Sequence, residues 1–187
     1  MAANFNSSGV SRLHKLFETS FGYARVLHTN DIAALQTVCE LCSDFSFSLS
    51  GAGPAANAAQ AMYDDVHTKD ALGRRGDCIG LFDWRDQMIG MIAVRRDDPV
   101  RGDWYIGNLM FIPEVRSRGY GAEAVAALTR FAHDSKCERL LLSVMWSNED
   151  GMRFWSKNGF EPLRPTEPTR FGQLLQTGVE MVRFVNV

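Results

Sequence analysis

Apolar residues recur at helical spacing in some stretches of this chain and stand in short unbroken runs in others, and the exchange between the two patterns predicts its elements. Residues 1 to 20 mix Asn, Ser and Gly with a short helical pattern at Leu13, Leu16 and Phe17, and read as an N-terminal extension to a domain over 21–187. Arg25 to His28 reads as a strand. Asn30 then precedes Ile32, Leu35, Cys39 and Cys42 at helical spacing, with Asp31 in the first turn, where the helix dipole favours an acid. DFSFSLSGAGP, from Asp44, reads as a loop, AANAAQAMYDDVHTK, from Ala55, as a second helix, and ALGRRGD as its break.

Cys78 to Asp83 and Met88 to Arg96 are apolar runs joined by WRDQ, a hairpin pattern, and Trp104 to Ile112 is a third strand, ended by Pro113. Gly121 to His133 carries Val125, Leu128, Phe131 and Ala132 on one helical face. Leu140 to Trp146 is continuously apolar and reads as a strand buried on both faces. Ser147 or Asn148 caps a helix through Lys157, Asn158 and Gly159 stop it, and Phe160 folds back on it. Phe160 to Leu163 and Val179 to Val185 are the last strands. Strands and helices in this order predict a mixed α+β fold whose central sheet is flanked by helices.

With 187 residues, 45% of them apolar and 22% charged, the chain has the composition of one packed domain. A formal charge of -2 gives no overall basic field for nucleic acid or an anionic membrane surface, so any anion site is local. No apolar run reaches the ~20 residues of a membrane-spanning helix. The first residues show no secretory signal, Ala2 excludes myristoylation and the last residues carry no prenylation box, so the expected location is cytoplasmic. Four scattered cysteines suit reduced thiols; Cys39 and Cys42 form a CxxC without a second ligand pair, so no metal site is expected.

The chemistry concentrates in IPEVRSRGYGA, residues 112–122, between a strand and a helix. Gly119 and Gly121 permit close approach, the first amides of the helix are free, and Arg116 and Arg118 add positive charge, so a pyrophosphate suits the loop. No GxxxxGK[ST] occurs, and GYGAEA lies too far behind its strand for a dinucleotide turn.

The stretch RSRGYG resembles the [Q/R]xxGx[G/A] pyrophosphate loop of the GNAT superfamily of acyl-CoA-dependent N-acetyltransferases; LMFIPE is similar to that family's splayed strand and SNEDGMRFWSKNGF to its late Asn-to-Gly-Phe helix. The resemblance covers roughly residues 22 to 185. It implies a largely antiparallel sheet splayed between the strands at 104–112 and 139–146, with acetyl-CoA as co-substrate and no metal. It also implies that Met110, Phe111 and Ile112 offer backbone groups to the pantetheine arm and the acyl carbonyl. Arg116, Ser117, Arg118, Gly119, Tyr120, Gly121 and Ala122 would hold the pyrophosphate, and Asn148 would contact the cofactor arm. Trp155 stands where many members place a Tyr beside the leaving thiol, and an indole N–H cannot serve as a proton donor at neutral pH.

The activity implied is direct attack by an amine on the thioester in a ternary complex, with the oxyanion held by strand amides. The acceptor would be a primary amine of a small molecule or peptide; a homodimer is left open. Candidates for the base are Asp103, Asn108 through a water, and Glu114. Phe45, Phe47, Trp84, Trp104, Tyr105 and Trp146 are candidate pocket walls. The alternative is a non-catalytic acyl-CoA-binding or sensing module, which the Trp155 departure and the absence of an obvious base favour.

Overall fold

The computed structural model describes residues 14–69, 73 and 76–185. Its main sheet has eight strands in the order β1-β2-β3-β4-β5-β6-β10-β7. These are β1 (Lys15–Thr19), β2 (Gly22–Val26), β3 (Gly76–Asp83), β4 (Met88–Arg96), β5 (Asp103–Phe111), β6 (Arg139–Met145), β7 (Glu161–Pro165) and β10 (Gly178–Phe184). A separate two-stranded ribbon pairs β8 (Thr169–Phe171) with β9 (Leu174–Gln176). Every pairing in the main sheet is antiparallel except β5 with β6. The mixed α+β fold expected from the order of elements forms, and its sheet is largely antiparallel, as the family resemblance implied.

Side chains alternate across the strands, so each face carries its own core. On one face α4 (Tyr120–Asp134) sets Ala124, Val125, Leu128 and Ala132 against Ile92, Ile106, Leu140, Leu142 and Met181. On the other, α1 (Ile32–Leu41) and α3 (Ala58–His67) pack Leu35, Val38, Cys39, Ala59 and Val66 against Cys78, Met91, Ala93 and Met110. α5 (Glu149–Lys157) joins the first face through Phe154 and Trp155. The exposed edge strand β7 carries Pro162 and Pro165, which lack ladder donors and suit an edge.

Several local expectations are corrected. Leu16 and Phe17 lie in β1, a strand paired with β2, and not in a helix; Leu13 lies outside the described residues. The strand expected at Arg25 to His28 is β2, Gly22–Val26, which starts earlier and ends before Leu27. Asn30 does not cap the first helix: Thr29–Asp31 form a 3-10 turn, and the Asp31 carboxylate accepts the His28 N–H and pairs with Arg25. The expected loop after Asp44 contains a helix, α2 (Ser43–Ser50). β8 and β9 have no counterpart in the sequence reading, and Trp146 is half-exposed beyond the end of β6. The break over 71–77 lies largely outside the described residues. Among the described residues no helix is long and apolar enough to cross a membrane.

Candidate active site

β5 and β6 are paired only from Asp103–Ile106 to Arg139–Leu142. Beyond that, β5 continues to Phe111 and β6 to Met145 without pairing each other, which leaves a fork in the sheet. The fork begins at a bulge: along β4, Ala93 faces Asn108 and Val94 faces Ile106, so Gly107 is the extra residue. Ile112 N–H donates to Ile89 O at 2.9 Å on the β4 side. Because successive residues of a strand turn their N–H groups to opposite edges, those of Leu109 and Phe111 face the fork, whereas Met110 and Ile112 face β4. Leu109 was absent from the sequence-derived set, since the edge its N–H faces depends on strand parity.

After Pro113–Val115, a 3-10 turn, the chain passes through two left-handed residues, Ser117 (φ 59°) and Gly119 (φ 85°), and enters α4 at Tyr120. This alternation points consecutive amides outward: from Ser117 to Ala122 none finds an acceptor among the described residues. Gly119 borders open space, and a β-carbon there would meet nothing within 4 Å. Tyr120 is anchored beneath the loop, its ring stacked on Phe21 with centroids 4.4 Å apart.

The two loop arginines separate. Arg118 is exposed and has no ion pair among the described residues. Arg116 faces inward: its Nε donates to Phe111 O at 2.7 Å and its guanidinium grips both carboxylate oxygens of Asp44 on α2. That contact holds the Asp44 carboxyl below the usual carboxylate range and raises Arg116 above its ordinary value. Cys42 Sγ donates to the same Phe111 carbonyl at 3.3 Å, so the end of β5 is braced from α1, α2 and the loop at once. The charge expected from Arg116 is thus paired within the protein, whereas Arg118 stands exposed.

Asn148 caps α5, its Oδ1 accepting Gly151 N–H at 2.9 Å. Trp155 is half-buried between Phe154 and Phe160, edge-on to each with centroids 5.0 Å apart. Phe154 in turn presses on Gly121, so α5 flanks the loop.

The three base candidates scatter. Asp103 is buried at the closed end of the β5–β6 pair and bonded to Arg139 at 2.6 and 2.8 Å, a structural ion pair remote from the fork. Glu114 is exposed in the turn after β5. Asn108 stands at the fork, and its buried Oδ1 has no hydrogen-bond partner among the described residues. It lines a cavity of about 800 Å³ together with Met62, Tyr105, Gly107, Arg164 and Glu180. Glu180, missed at the sequence level, is a lone acid among the apolar residues of β10 and is buried. Of the aromatic candidates Tyr105 lines the cavity, its hydroxyl donating to Ser143 Oγ at 2.7 Å; Trp104 is core, and Phe47, Trp84 and Trp146 are exposed. Phe45 packs against the α1–α3 core.

A family model described as the acetyltransferase (GNAT) family matches residues 37–160. The chain belongs to the GNAT acetyltransferase family. As a GNAT acetyltransferase it is an acyltransferase, of a family whose co-substrate is acetyl-CoA. Among solved structures it is similar to a GNAT acetyltransferase from Bacillus anthracis, at 14% identity and TM-score 0.70, over 91% of this chain and 99% of that one. An acetyltransferase from Thermus thermophilus aligns at 20% identity and TM-score 0.65, over 91% and 99%. A spermidine N-acetyltransferase from Vibrio cholerae, in complex with CoA and spermine, aligns at 12% identity and TM-score 0.66, over 86% and 94%. At such identities these likenesses establish the fold alone. No curated protein matches the chain. Among the described residues no group of three or more His, Cys, Asp or Glu side chains is placed to hold a metal ion.

Proposed function

We propose that this GNAT acetyltransferase moves an acetyl group from acetyl-CoA to a primary amine of a small molecule or peptide, by direct attack within a ternary complex. The observation that supports the reading is the placement of two features along one strand, β5. Gly107 and Asn108, where β5 leaves β6, line the 800 Å³ cavity and open the fork, and the loop of unpartnered amides lies past the far end of β5.

The residues present suit CoA. The N–H groups from Ser117 to Ala122, the open space at Gly119 and the exposed Arg118 would hold the pyrophosphate. The Leu109 and Phe111 N–H groups face the fork and would pair with the extended arm and take up negative charge developing on the carbonyl oxygen. Trp155 would shape the channel without passing protons. When bound, acetyl-CoA supplies the activated carbonyl and a thiol of pKa ~8.5, which leaves partly as thiolate, so catalysis does not require a tyrosine acid. An amine of pKa ~10.4 must lose its proton first, a cost of about 4 kcal/mol near pH 7.4, so an acceptor arriving on the cavity side needs a group there that manages its charge.

Thiol release from acetyl-CoA, followed across polyamines, amino acids, aminoglycosides and peptides, tests this. Amine-dependent release with an acetylated product is expected; tight CoA binding without release from any amine would favour a sensing module.

A further inference from the structure

The cavity floor carries a carboxylate whose partner is poorly matched to its burial. Glu180 has a side chain only 10% exposed, and its partner, Arg164, is 67% exposed. Their contact runs from Arg164 Nε to Glu180 Oε2, and Oε1 accepts no hydrogen bond among the described residues. Arg164 stands on the edge strand β7, directly across from Glu180, where the β7–β10 register shifts by one residue. A long side chain on an edge strand retains the rotamer freedom to swing outward.

Around this pair the cavity presents acceptors. Asn108 Oδ1, in the same lining, is buried and has no partner among the described residues. Asp65 is already bonded to Arg95 at 3.0 Å, and both line the cavity, as does Asp98. Burial, and then the charge of Glu180 among nearby acids, raise the Tyr105 phenol, which keeps its proton on Ser143. A buried carboxylate and an orphaned amide oxygen both require N–H or O–H donors, and a negative charge out of water demands a cation.

We propose that Glu180 receives the acceptor as an ammonium ion and that Arg164 occupies this place as an internal substitute until the acceptor arrives. The inference rests on the acetyl-transfer reading and deepens it: the acceptor is a cationic alkylamine. Its ammonium displaces the Arg164 guanidinium, keeps Glu180 neutralised, and donates a further N–H to Asn108. The position is productive because Glu180 pairs across β10–β6 with Ser143, the first residue of β6 past its pairing with β5. Gly107, whose missing side chain leaves open space within 4 Å, keeps the passage from there to the fork clear.

The two partners make opposite predictions. Calorimetry with 1,5-diaminopentane in saturating CoA is expected to show binding to the wild type, binding about tenfold tighter to Arg164→Gln and about tenfold weaker to Glu180→Gln. 1,5-Pentanediol, of the same length without charge, is expected not to bind. Arg164 is exposed, so its variant folds whatever the fate of the buried one. A Glu180→Gln affinity equal to the wild type, weakening by Arg164→Gln, equal binding of the diol, or no diamine binding would each overturn the proposal. Diamine binding as expected without thiol release from any amine would overturn acetyl transfer and leave the cation site standing. Thiol release with an unchanged amine KM in both variants would do the reverse.

Discussion

The ring of Phe154 lies 3.0 Å from the place a β-carbon on Gly121 would take. The second glycine of the loop is therefore small because α5 packs on it, in addition to any ligand it meets. Gly121→Val is expected to overpack this contact and cost about 1 to 3 kcal/mol, lowering the melting temperature before any ligand is added. An unaltered melting temperature would show that α5 yields without cost.

Gly119 behaves in the opposite manner, since it has a left-handed φ of 85° and open surroundings. Gly119→Ala is expected to cost about 1 to 2 kcal/mol through backbone strain alone, and Gly119→Asn less. Both side chains would stand where the unpartnered amides converge. Acetyl-CoA affinity should fall in both by more than stability does, as read by calorimetry beside thermal melts; for the wild type, acetyl-CoA at 100-fold over Kd should add about 2.7 kcal/mol.

Arg116→Ala should act through the frame of the site rather than through a phosphate. It frees Asp44 and leaves Phe111 O with Cys42 alone, so melting temperature and acetyl-CoA KM should change together. Asp44 has a depressed pKa in the folded protein, as does Asp31 beside Arg25, so each contributes stability that is complete above the unfolded carboxylate pKa of ~3.9 and is lost as pH falls through the lowered folded value. Asp44→Asn and Asp31→Asn should melt below the wild type at pH 7 and converge with it toward pH 3. The Asp31 difference should be larger, because its side chain is 17% exposed and that of Asp44 60%. A difference independent of pH would argue against ion pairing as its source.

Trp155, held edge-on between Phe154 and Phe160, should tolerate Phe and lose about 2 to 3 kcal/mol as Ala. Melting curves and steady-state rates on the same proteins separate packing from channel shape. Trp155→Tyr should raise turnover if protonation of the departing thiolate limits the rate, and a stable Ala variant with normal acetyl-CoA kinetics would remove the residue from the site.

Burial pushes the thiols up, Cys39 and Cys137 to about 11 and Cys78 to about 12, and Cys42 in the same direction. At pH 8 the folded protein should resist iodoacetamide at all four and react only when denatured. Rapid alkylation of any one, located by peptide mapping, would show that its cover opens.

What was legible in the chain is what short-range chemistry decides. The runs of β3 and β4 need only apolar neighbours, α5 declares its start at Asn148 and its end at Gly159, and the loop over 112–122 carries its own glycines and free amides. β1 was obscured because five residues carry too little pattern to separate a helical period from a strand's, and pairing with β2 settles the matter. α2 was obscured for another reason. Its Ser-rich sequence has little helical preference, but its last carbonyls, at Ser48, Leu49 and Ser50, are satisfied by Gln176 Nε2 and Gln173 N–H from the β8–β9 ribbon.

The sequence by itself therefore determined the local elements, the strand-loop-helix unit that suits a pyrophosphate, and the family resemblance built on it. Tertiary structure alone decided that Arg116 serves Asp44, 72 residues away, that the N–H groups of Leu109 and Phe111 face the fork, and that Glu180, Arg164 and Asn108 line one cavity. Local signals arise from backbone sterics and nearest-neighbour burial, which a few residues suffice to encode. Charge partners and strand parity depend on which distant segments the shared core brings together.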